Sequence, residues 1–87
     1  MKANHDKVLR QLKIARGQLD GLVKMVEEDA YCIDISNQLM ATTALLKKVN
    51  ALVLSAHLDH CVKETKGEEE INQKIAEIQS ILLRLMD

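Results

Sequence analysis

The sequence predicts an all-α protomer of three helices, with a long central helix that needs a second copy of the chain alongside it. Three observations lead there. Apolar residues recur at steps of three and four in three stretches. No Pro or Gly falls between Tyr31 and Lys66, so nothing obvious interrupts a helix across that span. The chain has 87 residues, one Tyr and neither Phe nor Trp, yet is 47 % apolar. Without large side chains to fill a core, so short a chain makes one small domain, 1–87. It buries its apolar stripes against copies of itself.

The first helix is expected from about Asn4, a good N-cap residue, to Glu28. Its seam is Val8, Leu12, Ala15, Leu19, Leu22 and Val26. Gly17 and Gly21 lie inside it, each costing up to about 1 kcal/mol against Ala. Two such glycines suggest close approach of another backbone, or of DNA, along that face. The acidic Glu28-Asp29-Ala30 marks a turn.

The second helix is expected from Tyr31 or Ile33 to Lys66, with Ile35, Leu39, Leu46, Val49, Val53 and Ala56 as its seam. The small residues Ala41, Thr42, Thr43 and Ala44 permit close packing of another helix. A helix this long needs a partner running alongside. A break at Thr65-Lys66-Gly67 follows, with Gly67 suited to a helix C-terminus. Glu68, Glu69 and Glu70 suit the first turn of the next helix, which runs to about Leu85 over Ile71, Ile75, Ile78, Leu82 and Leu85.

Net charge is −1, but it is unevenly spread. Residues 1–16 carry five bases against one acid, a local +4, while the rest carries seven bases and twelve acids, a local −5. A basic N-terminal arm on an acidic body suits an anionic partner such as nucleic acid. The N-terminus has no apolar signal region, and no apolar run is expected to reach membrane length. A cytosolic location with reduced thiols is therefore expected.

The chemistry lies in three residues: Cys32, His57 and Cys61, with Cys32 and Cys61 the two cysteines of the chain. His57 and Cys61 stand at i and i+4, on one face of a helix. Cys32 stands twenty-five residues before His57, a rise of about 38 Å on a continuous helix. A helix cannot fold its start onto its end, so a three-ligand site needs Cys32 from one copy and His57 and Cys61 from another. The same separation forbids a disulfide within one protomer. Two thiolates and an imidazole form a soft set that suits trigonal Cu(I). Zn(II) wants a fourth ligand, and the neighbouring His60 points about 100° away on a helix. Ni(II) prefers more nitrogen and oxygen donors. Against any metal role, Cys is also a common small buried hydrophobe.

Three segments resemble the copper-sensing operon repressor family of bacterial metal- and persulfide-sensing regulators. They are Arg16-Gly17-Gln18-Leu19-Asp20-Gly21, the run from Val26 through Tyr31-Cys32-Ile33-Asp34 to Ile35, and His57-Leu58-Asp59-His60-Cys61-Val62. The resemblance covers nearly the whole chain, and the 32, 57, 61 spacing matches the Cys-His-Cys pattern of the family's copper sensors. It implies a three-helix protomer, an antiparallel dimer of long second helices, and a flat homotetramer. It also implies Cu(I) held between protomers by Cys32 of one and His57 and Cys61 of the other, with loss of affinity for operator DNA on binding. Around that site it implies Tyr31 and a third-helix Glu77. A carboxylate there would orient the metal-bound imidazole of His57.

No helix-turn-helix, finger or ribbon signature is present. The resemblance instead implies phosphate contacts from Arg10, Lys13, Arg16, Lys47 and Lys48, with strong salt dependence. One departure is clear: Ile14 and Ala15 stand where the family usually carries Arg-Ile.

Some members of the family sense reactive sulfur species through the two cysteines, forming inter-protomer di- or polysulfide crosslinks, and typically lack the His. His57 favours copper, while the Cys32 and Cys61 dithiol keeps persulfide sensing as the alternative. Cys61 and the offset of His5 argue against the family's formaldehyde and nickel or cobalt patterns. A copper chaperone would bind metal without specific DNA, and a structural oligomer would depend on neither Cys32 nor His57 for any response. Enzyme activity is not expected, for there is no nucleophile–base constellation or phosphate loop, and three narrow helices offer no deep pocket.

Overall fold

The structure, a computed structural model, describes residues 1–64 and 67–86, with side chains described for residues 1–60 and 67–84. Three helices follow one another: α1 His5–Glu27, α2 Cys32–Glu64 and α3 Glu68–Met86. Each lies within two residues of its expected bounds. Residues 65 and 66 of the expected break lie outside the described residues. The chain forms two compact units, Asn4–Asn50 and Met1–Ala3 with Ala51–Asp87.

In the first unit, α1 starts at the expected cap. The Asn4 side-chain oxygen accepts the Lys7 N–H at 3.1 Å, satisfying one of the amides a helix start leaves free. The helix ends in a left-handed turn. Asp29 takes a φ of 55°, its N–H reaches the Val26 carbonyl, and the Ala30 N–H reaches the Met25 carbonyl. This is the bond pattern that usually recruits Gly. Four residues, Glu28 to Tyr31, therefore suffice to turn the chain, and the Tyr31 carbonyl accepts the first amides of α2 from Asp34 and Ile35.

α1 and the first half of α2 form a helical hairpin in which Val8, Ala15, Leu22, Thr42 and Val49 are buried. The burial corrects the expected seams. Leu12, Leu19 and Val26 of α1, and Leu39 and Leu46 of α2, are exposed in the protomer. Gln11, Gln18 and Met25, with Ile35, Gln38 and Leu45, are half-buried beside the buried line instead. The reason is the heptad. A buried line at i and i+7 has two flanks, one at i+3 and one at i+4. The hairpin uses the i+3 flank, which here is partly polar, and leaves the more apolar i+4 flank outward. The result is an apolar groove lined by Leu19, Leu22, Val23, Val26, Ile35 and Leu39.

In the second unit, Ile78 is buried, Ile71 and Ile81 are half-buried, and Ile75 and Leu82 are exposed, the same division of an expected seam. Leu85 falls among residues whose side chains are not described. Gly67 is not a left-handed C-terminal residue, since its φ is not positive. Its carbonyl accepts the Ile71 N–H at 3.1 Å, so it begins α3 rather than ending α2. Glu68, Glu69 and Glu70 then occupy the first turn, where the helix dipole favours negative charge.

One expectation about apolar length is corrected. The Cys32–His60 part of α2 is long and apolar enough, by length and composition, to cross a membrane. It also carries Lys47 and Lys48 side by side near its middle. A lysine at the centre of a bilayer costs about 2.5–3.5 kcal/mol. The apolar surface of α2 therefore suits the seam of a helical assembly better than lipid.

Candidate metal centre and nucleic-acid interface

Cys32 is the first residue of α2 and is exposed, with a free thiol. It follows directly on the left-handed turn, so its place on the protomer is fixed by the helix it begins. Tyr31, just before it, is 65 % exposed, which leaves its phenol ring on the surface of the protomer.

His57 and Cys61 stand near the far end of the same helix, and helical register puts positions 57 and 61 on one face. His57 is exposed, His60 half-buried. The side chain of Cys61 lies outside the described residues. Glu77 is exposed on α3 and, among the described residues, makes no hydrogen bond or ion pair. Among the described residues of one chain, no three His, Cys, Asp or Glu side chains gather into a metal-binding group. Helix α2 is continuous over 33 residues, with Cys32 its first residue and positions 57 and 61 in its last turns.

All five basic candidates belong to the hairpin unit and are exposed: Arg10, Lys13, Arg16, Lys47 and Lys48. Among the described residues none of them is held in an ion pair; the pair found there joins Lys24 and Glu28 at 4.0 Å. At about 100° per residue, Arg10 and Lys13 fall on the side of α1 opposite Val8, Ala15 and Leu22, with Arg16 at its margin. Gly17 and Gly21 share that side. A Cβ added to either would meet nothing within 4 Å, so no other part of the described protomer approaches them. The basic residues and the two bare backbone positions thus make one outward strip. Ile14 is exposed beside it and lines a shallow hollow with Asp6, Leu9, Arg10 and Lys13. Ala15, by contrast, is 2 % exposed, and a small side chain is what lets α2 lie close there.

One polar group of the hairpin escaped the sequence reading. Thr42, seen there only as a small residue, donates its hydroxyl to Gln18 Oε1 at 2.8 Å and accepts from Gln38 Nε2 at 3.3 Å. The signal was present: Thr42 stands seven residues after Ile35 and seven before Val49, a polar residue in a buried line.

Residues 4–84 match the family model described as metal-sensitive transcriptional repressor. The chain belongs to this family. Its relatives include the copper-sensing transcriptional repressor CsoR of Mycobacterium ulcerans (strain Agy99), 41 % identical over 71 residues, or 77 % of this chain and 61 % of that protein. The copper-sensing repressor RicR of Mycobacterium tuberculosis (strain ATCC 25618 / H37Rv) is 36 % identical over 83 residues, 93 % of this chain and 86 % of that one. CsoR of Bacillus subtilis (strain 168) is 36 % identical over 76 residues, 87 % of this chain and 75 % of that one. This chain thus spans about three fifths of the length of the M. ulcerans relative. Among solved structures, the nickel-responsive transcriptional regulator InrS superposes with a TM-score of 0.78 at 27 % identity, over 98 % of this chain and 96 % of that one. The family is one of repressors and not of enzymes, and the three-helix protomer with a long central helix is shared with InrS.

Proposed function

We propose that this family member is a Cu(I)-responsive repressor that works as an antiparallel dimer assembled into a homotetramer. It holds operator DNA while its thiols are free. It lets go when Cys32 of one protomer and His57 and Cys61 of another together hold Cu(I). The observation that carries this is the single helix α2, which bears all three soft donors with Cys32 at its start and the other two in its last turns. One chain cannot bring them together at about 1.5 Å of rise per residue, whereas an antiparallel pair of such helices can.

The donor set suits the ion. Two thiolates and one imidazole would satisfy a soft, three-coordinate metal. An ion held by them would tie the two protomers to one another through Cys32 of one and His57 and Cys61 of the other. Tyr31 and Glu77 are proposed to surround it, Glu77 by taking the second N–H of His57. The outward apolar groove of the hairpin supports the assembly, since exposed strips of this kind usually have a partner. The exposed basic residues Arg10, Lys13 and Arg16 of α1 and Lys47 and Lys48 of α2, none held in an ion pair among the described residues, support phosphate binding. Such a protein works in the cytosol, where operator DNA and reduced thiols are found together.

A second reading rests on the exposure of Cys32. An accessible thiolate can take a sulfane sulfur from a polysulfide, which leaves one sulfur shorter. Attack by Cys61 of another protomer on the Cys32 persulfide would then release sulfide and form the inter-protomer disulfide. Further sulfane sulfur from the donor would make it a polysulfide. Nickel, which InrS answers to by its description, is disfavoured here because the set offers one nitrogen and two sulfurs.

Complementation tests the shared site. Cys32→Ala and His57→Ala chains each lack a ligand, so neither homodimer has a complete set. A co-expressed mixture has one complete set per mixed dimer. Restored Cu(I) binding in the mixture, with none in either parent, supports the site between protomers. A mixture as inert as its parents rules it out.

A further inference from the structure

The hairpin seam is apolar at Val8, Ala15, Leu22 and Val49 and polar at its middle. Thr42 is 3 % exposed there, and its hydroxyl both donates to Gln18 and accepts from Gln38. Valine would occupy nearly the same volume with no polar atom to satisfy, so packing alone does not call for a threonine. A buried hydroxyl is tolerated where it is hydrogen-bonded and costly where it is not. That difference selects a register. If α1 slid by one turn against α2, Thr42 would face Ala15 or Leu22 in place of Gln18, and neither side chain can accept its proton. A polar residue in a helix seam is well attested as a register-setting device.

The network also lies where register matters. Gln18 comes two residues after Arg16 and one after Gly17, in the outward basic strip's own turn of α1. Gln38 is six residues from Cys32, and Lys47 and Lys48 follow Thr42 within two turns of α2. All of these belong to the Asn4–Asn50 unit. We propose that Thr42 is a positioning residue: its hydroxyl fixes the one register of α1 on α2, and with it the offset along the hairpin between the basic residues of α1 and those of α2 on which DNA binding depends. This rests on the DNA-binding part of the proposed function and is independent of whether Cu(I) or sulfur is the inducer.

The test uses the full, reduced, metal-free protein and a duplex that the wild-type chain selects from a random DNA library. Thr42→Val, Thr42→Ser and the double variant Gln18→Leu/Thr42→Val are compared for DNA affinity and thermal unfolding. Thr42→Val is expected to bind at least fivefold more weakly while still unfolding cooperatively. Thr42→Ser, which keeps the hydroxyl, is expected within about twofold of wild type. If Thr42→Val fails to fold, the double variant replaces it, because it removes the Gln18 amide together with the hydroxyl that donated to it and leaves the part-buried Gln38 amide to turn to water; it too is expected to bind weakly. Wild-type affinity in a folded variant without the hydroxyl overturns the proposal and leaves DNA binding intact. Equal losses in Thr42→Ser and Thr42→Val also overturn it, since packing rather than the hydrogen bond would then be at work. A wild-type chain that selects no duplex overturns the DNA-binding reading itself, and the proposal with it.

Discussion

The Ala30 N–H donates to the Met25 carbonyl at 2.9 Å across a turn in which Asp29 holds a φ of 55°. This six-residue closure fixes how the chain leaves α1, and Cys32 opens α2 two residues later. A left-handed residue with a side chain costs about 1–2 kcal/mol, less for Asp than for most. Asp29→Gly relieves that cost, partly offset by the extra freedom of Gly in the unfolded chain. A net gain of about 0.5 kcal/mol is expected, read as a raised midpoint in urea unfolding. Asp29→Val at the same position is expected to lower it.

Ile14 is exposed on α1 beside Arg10 and Lys13. Ile14→Arg adds a cation to the strip proposed to face phosphates. DNA affinity should rise at low salt, and the slope of log affinity against log salt should steepen by about 0.9 for one added phosphate contact. Arg10→Ala should make the slope shallower by a similar amount. An Ile14→Arg protein with the wild-type slope would remove this part of α1 from the interface.

Gly17 and Gly21 have no neighbour within 4 Å of an added Cβ. Within the protomer, Gly17→Ala and Gly21→Ala should each stabilise α1 by up to about 1 kcal/mol. If a phosphate backbone seats on that bare strip, the same substitutions weaken DNA binding. Opposite signs for the two quantities, stability up and affinity down, are the expected result. Affinity that stays level would show that nothing comes close there.

Leu39 is 49 % exposed and lines the apolar groove with Leu19 and Val26. On a free surface Leu39→Glu would change stability by less than about 0.5 kcal/mol. Beneath a second copy it buries a charge. Sedimentation equilibrium should show association weakened at least tenfold, about 1.4 kcal/mol. An unchanged mass distribution would place the subunit interface elsewhere.

The helices themselves were legible because each stretch of apolar periodicity ends at a physical signal: Asn4 before α1, Asp29 after it, the triple Glu at the start of α3. What periodicity could not assign was the flank. Val8, Ala15 and Leu22 are common to both choices, and only packing decides between Gln18 and Leu19 as their companion. The hydrogen bond from Thr42 to Gln18 makes the polar flank satisfiable, so the leucines are left for another surface. Gly67 misled for a related reason, since the same residue type serves a helix end and a helix start. For the proposed site, the spacing of Cys32, His57 and Cys61 on a continuous helix already implied that a shared set of ligands would need two chains. The roles of Glu77 and Tyr31 were not legible, because both side chains are exposed on the protomer and the proposed site depends on a second chain.

The most direct test is DNA release by the fully reduced protein under anaerobic conditions, with Cu(I) in one sample, inorganic polysulfide in another, and His57→Ala alongside. The account predicts that Cu(I) frees the DNA and that His57→Ala no longer responds to it. Release by polysulfide alone, with crosslinked dimers on a non-reducing gel and His57→Ala still responsive, would contradict the copper assignment and make the protein a sulfur sensor.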